Sequence, residues 1–209
     1  MIPVKVLAVR YLPNASPALL AGLGMAPDMP SLGLLTTDCD DATYIALDEA
    51  TKTAEVRVGY SHSFYAGSAN ASTPYAGEVI GILAGATPGA VASGMETALG
   101  ALRRVGFQEH RGVPWLAHTI SSCGTFLARE AGVPVGAALA YLIAPPLESM
   151  YALDGALKAA NVALCKLYSP PSETNFGGGI LTGTQSACEA ACAAFAQAVT
   201  EVADMPRTL

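Results

Sequence analysis

The stretch Ala46-Leu-Asp-Glu-Ala-Thr-Lys-Thr-Ala-Glu-Val56 decides the fold, because it occurs twice in the chain. Its second copy is Ala152-Leu-Asp-Gly-Ala-Leu-Lys-Ala-Ala-Asn-Val162, which is identical at seven of the eleven positions. Further along, Gly81-Ile-Leu-Ala-Gly85 matches Gly179-Ile-Leu-Thr-Gly183 at four of five positions. Blocks that recur in the same order at a near-constant spacing indicate an internal duplication. The sequence therefore predicts two copies of one fold, one domain over residues 1–105 and a second over residues 106–209.

Each copy alternates short apolar strands with helices, a pattern typical of an α/β sandwich of sheet and helices. In the first copy, helices are predicted over residues 16–22, 44–53 and 87–102, and strands over residues 4–11, 32–37, 54–60 and 78–84. In the second copy, helices are predicted over residues 124–130, 150–160 and 184–203, and strands over residues 113–120, 138–144, 163–168 and 179–182. The triplet Gly177-Gly178-Gly179 is interpreted as a flexible loop tip before the last strand, because it lacks the Gly-Lys-Ser/Thr of a phosphate loop.

The composition is unusually poor in charge, which bears on partners. Only 13% of the 209 residues are charged, 52% are hydrophobic, and the net charge is −6. An acidic chain without a basic stripe is a poor nucleic-acid binder, and the apolar runs are too short and too broken by Gly and Pro to span a membrane. We therefore expect the apolar surplus to be buried against other protein chains.

No pattern of catalytic or cofactor-binding residues stands out. The three histidines are scattered, no Gly-x-Ser-x-Gly motif marks a nucleophile, and Cys188 and Cys192 lack further ligands at zinc spacing. The five cysteines are an odd number without framework spacing, and no secretory signal begins the chain, so we expect reduced thiols in a cytosolic protein. We predict no cofactor, no metal and no enzymatic activity.

Four carboxylates at the ends of predicted elements are the most informative polar residues. Asp40 and Asp41 lie between a strand and a helix, Glu148 takes the corresponding place in the second copy, and Glu78 begins a strand. Together they would attract a cation. The alternative is that Asp41 only caps its helix and Glu148 is a solvated loop acid.

Several long motifs give the chain a resemblance to the tandem-domain shell proteins of bacterial microcompartments, and among them to ethanolamine-type members. The motifs are Ser31-Leu-Gly-Leu-Leu35, the run from Asp40 to Lys52, Tyr65-Ala-Gly67, Ala76-Gly-Glu-Val79, Ala144-Pro-Pro-Leu-Glu148, Ser172-Glu-Thr-Asn175 and Leu181-Thr-Gly183. The resemblance implies two circularly permuted shell domains per chain, and a homotrimer that forms a flat pseudohexagonal tile beside other shell proteins. It also implies a gated central pore and one small pore in each subunit.

Two groups of site residues follow from the resemblance. Those that match small-pore positions, associated with binding the amino alcohol ethanolamine, are Asp40, Asp41, Glu78, Phe107, Glu148, Thr174 and Asn175. Those that match the segments opening and closing the central pore are Phe64, Tyr65, Ala66, Gly67, Ser68, Phe176, Gly177, Gly178 and Gly179. We expect the segments from Ser68 to Pro74 and from Phe176 to Gly179 to be mobile, because they lack apolar anchors.

The first hypothesis is therefore a structural, metabolite-conducting tile in the shell of a cytoplasmic microcompartment. A trimeric regulatory protein of ferredoxin-like build that binds a small molecule is the alternative. An enzyme whose site forms only between subunits is a third possibility. The repeat and the low charge favour the tile, because tiling requires self-complementary edges.

Overall fold

The computed structural model describes residues 1–64, 73, 75–170, 172 and 174–207, and it contains two compact units. The N-terminal unit comprises Pro3–Val105 together with Gly124–Leu127. The C-terminal unit comprises Met1–Ile2, Gly106–Cys123 and Ala128–Leu209. Each unit thus combines most of one half of the sequence with a short segment from the other half.

The N-terminal unit contains an antiparallel sheet and three helices within its described residues. In chain order the elements are β1 (Val6–Leu12), α1 (Pro17–Gly22), β2 (Ser31–Thr37), α2 (Asp40–Thr53), β3 (Val56–Ser63), β4 (Val79–Gly85) and α3 (Pro88–Leu102). The strand order is β1-β2-β4-β3. Strand β4 therefore lies between β2 and β3.

Both faces of this sheet are covered. Helices α2 and α3 pack on one face, where Gly81 leaves room for the side chain of Leu47. On the opposite face, Leu20 of α1 joins a buried apolar cluster with Leu32 and Ile82. The alternating side chains of β2 and β4 thus supply two apolar layers, as a sheet covered on both sides requires.

The C-terminal unit repeats this arrangement with one additional short strand. Its elements are β5 (Gln108–His110), β6 (Val113–Ile120), α4 (Thr125–Ala131), β7 (Ala138–Ala144), α5 (Pro146–Ala159), β8 (Val162–Tyr168), β9 (Gly177–Gly183) and α6 (Gln185–Asp204). The first turn of α4 belongs to the N-terminal unit. The strand order is β5-β6-β7-β9-β8. Its core joins β7 and β9 to α5 and α6 through Leu142, Leu153, Leu181 and Phe195.

Small irregularities recur in both units and confirm the predicted duplication and α/β fold. The pairing of β3 with β4 shifts between Val58 and Tyr60, and the pairing of β8 with β9 shifts between Leu164 and Lys166. The last helix of each unit begins in the same way, because a threonine hydroxyl accepts a hydrogen bond from the backbone N–H three residues on, at 3.2 Å in both cases. Shared bulges and caps show that the two copies have the same backbone path.

Among the element boundaries that differ from the sequence predictions, three bear on the candidate site. Helices α2 and α5 begin four residues earlier than predicted, at Asp40 and Pro146. A proline is favourable in the first turn of a helix because its missing N–H has no partner there in any case. Strand β9 begins at Gly177, so the glycine triplet lies in the sheet, and its interpretation as a flexible loop tip is wrong.

Candidate functional site: the acidic cluster and the Phe107–Phe176 pair

The N-terminus of α2 carries the first group of predicted site residues. Asp40 and Asp41 are buried in the first turn of the helix. Asp40 Oδ1 accepts a hydrogen bond from the backbone N–H of Asp41 at 2.8 Å. Asp38 precedes the helix, and its Oδ1 accepts from the backbone N–H of Lys5 at 2.7 Å. The partial positive charge of a helix N-terminus favours carboxylates at these positions.

Glu78 lies next to these aspartates. Its backbone N–H donates to Thr37 O at 2.9 Å, and its own carbonyl accepts from Phe64 N at 2.9 Å, which fixes it between the end of β2 and the end of β3. Burial raises the pKa of Glu78, and the negative charges of Asp40 and Asp38 raise it further. The structure therefore places Glu78 within electrostatic range of Asp40 and Asp38, and Asp41 follows Asp40 in the same helical turn. We call Asp38, Asp40, Asp41 and Glu78 the acidic cluster.

Cys39 lies between Asp38 and Asp40 of the acidic cluster. Burial raises the pKa of its thiol well above the ordinary value, and the charge of Asp41 is the next largest cause. Burial alone would disfavour any charged form, so only the smaller contributions from the aspartates reflect the negative field of the cluster.

The C-terminal unit holds the remaining predicted small-pore residues. A tight turn joins Ser172 to Phe176: Ser172 N donates to Phe176 O, and Thr174 Oγ1 accepts from Phe176 N, both at 3.3 Å. Ser172 Oγ accepts from Thr174 N at 3.2 Å. Asn175 lies in the same turn with an exposed side chain. The turn therefore directs Thr174 inward to the backbone and leaves the Asn175 amide available to solvent.

Phe107 and Phe176 form a ring contact, with centroids 5.6 Å apart and an interplanar angle of 31°. We call them the Phe107–Phe176 pair. The family resemblance matched Phe107 to the small pore and Phe176 to the central gate, but the contact brings these two residues together in the C-terminal unit. A separation of 69 positions along the chain (176 minus 107) gives no sequence signal for such a contact.

Glu148 lies in the first turn of α5. The neighbouring Ser149 Oγ would be 2.9 Å from a Cβ placed on Gly177, so this end of α5 abuts the start of β9. Helices α2 and α5 begin at Asp40 and Pro146 and have equal length, so Leu147, not Glu148, is equivalent to Asp41. The predicted equivalence of Glu148 and Asp41 is therefore wrong by one residue.

The predicted gate residues divide into three groups. Phe64 follows β3, and Tyr65, Ala66, Gly67 and Ser68 lie outside the described residues. Gly177, Gly178 and Gly179 are buried strand residues, in register with Ala144, Ile143 and Leu142 of β7. Gly178 has φ of 149°, and a Cβ there would lie 1.9 Å from a backbone oxygen of β7. Only glycine fits this position, because a side chain would meet the backbone of β7. The mobility of Phe176 to Gly179 stays a prediction, and of Ser68 to Pro74 only Thr73 lies within the described residues.

Within residues 1–64, 73, 75–170, 172 and 174–207, no helix is both long and apolar enough to cross a membrane. No group of three or more His, Cys, Asp or Glu side chains in the same ranges is arranged to hold a metal ion.

Comparison with known proteins defines the class to which this fold belongs. Residues 31–113 match the model of the BMC domain. The bacterial microcompartment shell protein EutL of Clostridium perfringens is 54% identical over 210 residues, which cover 99% of this chain and 97% of that protein. The crystal structure of ethanolamine utilization protein EutL from Leptotrichia buccalis matches with a TM-score of 0.96 and 55% identity, over 100% of this chain and 98% of that chain.

A more distant structure shares the fold alone. The trimeric bacterial microcompartment shell protein PduB matches with a TM-score of 0.80 at 19% identity, over 96% of this chain and 89% of that chain. The class is thus the tandem-domain shell proteins of bacterial microcompartments. The chain belongs to the EutL family within that class. The resemblance seen in the sequence is confirmed, the protein is a structural component of a microcompartment shell, and the regulatory alternative is not favoured.

Proposed function

We propose that three copies of this chain form a flat pseudohexagonal tile in the shell of an ethanolamine-utilisation microcompartment, next to other shell proteins. Two relatives with more than half of their residues identical carry the EutL name, and one of them is described as an ethanolamine utilization protein. The internal duplication supports a trimer, because three chains of two similar units supply six similar edges. The small share of charged residues suits edges that are buried in a sheet of tiles.

The acidic cluster carries the proposal that each subunit has a small pore for a cationic solute. Asp40 and Asp41 are buried, and the pKa of Glu78 is raised by burial and by its acidic neighbours, so the cluster concentrates negative charge where water is scarce. Such a field attracts a small ammonium compound. The solute we propose is ethanolamine, whose hydroxyl group would hydrogen-bond to the Thr174 hydroxyl or the Asn175 amide. Phe107 and Glu148 complete the proposed lining.

Because Gly177 to Gly179 lie in strand β9, the residues that we propose for the central gate are fewer than the sequence suggested. We assign gating to the segment from Phe64 through Ser68 and to Phe176, while Gly177 to Gly179 would act as the fixed strand beside the gate. The Phe107–Phe176 pair gives Phe176 a half-buried resting position. Passage of a solute through a pore breaks no covalent bond, so the proposed function requires no catalytic residue.

Calorimetric titration with ethanolamine tests the small-pore proposal. We expect weak, salt-sensitive binding to the native protein and weaker binding to Glu78→Gln, which keeps the shape and removes one charge. A solvated contact of ~0.5–1.5 kcal/mol corresponds to about a 2- to 13-fold rise in Kd. The control is Glu189→Gln, an exposed carboxylate on α6 that pairs with Gln185. Equal heats for the native protein and both variants would contradict the proposal.

A further inference from the structure

The junction between a strand and the following helix is built differently in the two units. In the N-terminal unit, Asp38 and Cys39 separate Thr37, the last residue of β2, from the start of α2. In the C-terminal unit, Pro145 alone separates Ala144, the last residue of β7, from the start of α5. Both strand ends pair with the first residue of the neighbouring strand, so they are equivalent. The junction that carries the acidic cluster is therefore one residue longer than its counterpart.

Two buried threonine hydroxyls hold the longer junction. Cys39 N donates to Thr37 Oγ1 at 3.1 Å, and Thr37 Oγ1 lies 2.8 Å from Thr43 Oγ1. Thr43 Oγ1 in turn donates to Cys39 O at 2.8 Å. Each hydroxyl has one proton to donate, so these contacts close into a ring when Thr37 donates to Thr43. We call this arrangement of Thr37, Cys39 and Thr43 the threonine ring.

The threonine ring fixes the backbone at the position where a helix cap normally acts. Cys39 is the N-cap of α2, with φ of −151° and ψ of 108°, but its side chain makes no cap hydrogen bond. An N-cap side chain usually satisfies a backbone N–H of the first helical turn. Here the ring holds both backbone polar groups of Cys39 instead. Because Asp38 and Asp40 flank Cys39, a fixed Cys39 backbone also fixes the points from which their carboxylates extend.

The C-terminal unit makes the equivalent junction without such a ring. Pro145 has no N–H to donate, and Ala144 has no hydroxyl to accept one. Ser149, the equivalent of Thr43, donates to Pro146 O at 2.9 Å. Helices of equal length follow both junctions, so the fold itself does not require the threonine ring. Of the two junctions, the ring occurs in the one that carries the acidic cluster.

We propose that Thr37 and Thr43 are positioning residues of the proposed small pore, which hold the adjacent carboxylates of the acidic cluster in place beside Glu78. This inference rests on the proposed function, and it names residues that build the small pore without lining it. Both hydroxyls are in residues with 0% exposure, so a solute cannot contact them. Their effect on a solute therefore acts through the carboxylates.

Calorimetric titration with ethanolamine measures the effect of the ring on binding. Thr37→Val removes the acceptor of Cys39 N–H, and we expect Kd to rise about 2-fold or more. Thr43→Val should have a smaller effect, because Thr37 Oγ1 lies 2.9 Å from Cys39 O and can donate to it directly. Thr43→Ser keeps the hydroxyl and should restore the native Kd. The matched control is Ser149→Ala, which removes a buried hydroxyl from the equivalent helix position and should leave Kd unchanged.

Proton titration of Glu78 gives a second readout that does not depend on ethanolamine. Burial is the largest cause of the raised pKa of Glu78, and the charges of Asp40 and Asp38 raise it further. If Thr37→Val lets these aspartates move away, the pKa of Glu78 should fall towards its ordinary value. NMR of the side-chain carboxyl carbon, assigned by the resonance that Glu78→Gln removes, measures this midpoint. We expect a smaller decrease in Thr43→Val and the native midpoint in Thr43→Ser.

The two readouts separate this inference from the proposed function. A native Kd together with a native Glu78 midpoint in Thr37→Val would overturn the inference and leave the proposed pore standing. Equal changes in Thr37→Val and Ser149→Ala would also overturn it, because the effect would then come from a general loss of stability. A native protein that binds no ethanolamine would overturn the pore proposal, whereas a lowered Glu78 midpoint in Thr37→Val would still support the role of the threonine ring.

Discussion

Asp48 should be among the most important polar residues for the stability of the N-terminal unit. Its carboxylate is buried and accepts hydrogen bonds from two backbone N–H groups, those of Gly124 and Leu127. Asp48→Ala removes both acceptors and supplies no replacement. A buried donor left without a partner costs about 1–3 kcal/mol, so the two together should lower the free energy of unfolding by about 2–6 kcal/mol.

The matched control is Asp154→Ala, at the equivalent position of the repeat. Asp154 is exposed and interacts with Lys158 one helical turn away. Exposed pairs of this kind contribute about 0.3–0.5 kcal/mol. The two variants therefore make the same chemical change in the same sequence pattern, and they differ only in what covers the helix.

Urea unfolding followed by circular dichroism measures the difference. The protomer concentration must be equal in all samples, because association stabilises a folded chain by mass action. Asp48→Asn gives an intermediate case, since one oxygen can still accept a hydrogen bond. The reasoning is refuted if Asp48→Ala costs no more than Asp154→Ala, because the hydrogen bonds from residues 124–127 would then contribute nothing.

Three further outcomes follow from the site and the sheet. Burial and acidic neighbours raise the pKa of Glu78, so its ionised form lowers the stability of the folded protein above that pKa. Glu78→Gln should therefore raise the urea midpoint at pH 7, and this increase should vanish as the pH falls through the pKa of Glu78. An unchanged midpoint at pH 7 would contradict this expectation. Gly178→Ala should lower the free energy of unfolding by about 3 kcal/mol or more, because the new Cβ would meet a backbone carbonyl of β7. Gly100→Ala in α3 has open space around it and should raise the free energy of unfolding by about 0.5–1 kcal/mol. Thermal unfolding measures both effects. A double-mutant cycle between Phe107→Ala and Phe176→Ala should give a coupling energy of about 0.5–1.5 kcal/mol, and additive effects would show that the ring contact is not formed.

The fold could be predicted because the sequence patterns of its helices and strands occur twice in the chain. The two Ala-Leu-Asp helices and the two Gly-Ile-Leu strands fall at matching places in sheets of matching order. The prediction from local sequence propensity was wrong at Gly177 to Gly179, where pairing with other strands determines the structure. Three consecutive glycines favour a loop in isolation, but β9 is paired on both sides, with β7 and β8, and close strand approach at Gly178 requires glycine.

The candidate site was only partly predictable, for reasons that differ between residues. Asp40 and Asp41 could be found, because acidic residues between a strand and a helix indicate a helix N-terminus. Glu148 was matched one residue out of register, although the repeats that begin at Ala46 and Ala152 are 106 positions apart and already pair Asp41 with Leu147. The burial of Asp48 cannot be predicted from the neighbouring sequence, because Asp48 and Asp154 both lie in the sequence Ala-Leu-Asp. It depends on which distant segment covers the helix.

Electron microscopy of the concentrated protein tests most directly whether the chain is a shell tile. A tile with self-complementary edges should form two-dimensional sheets, because each edge meets a copy of itself or of a similar edge. The account predicts extended sheets in which pseudohexagonal particles pack side by side, each with the mass of three 21.3 kDa chains. Discrete particles that remain separate at high concentration, with no sheet under any salt condition, would contradict it.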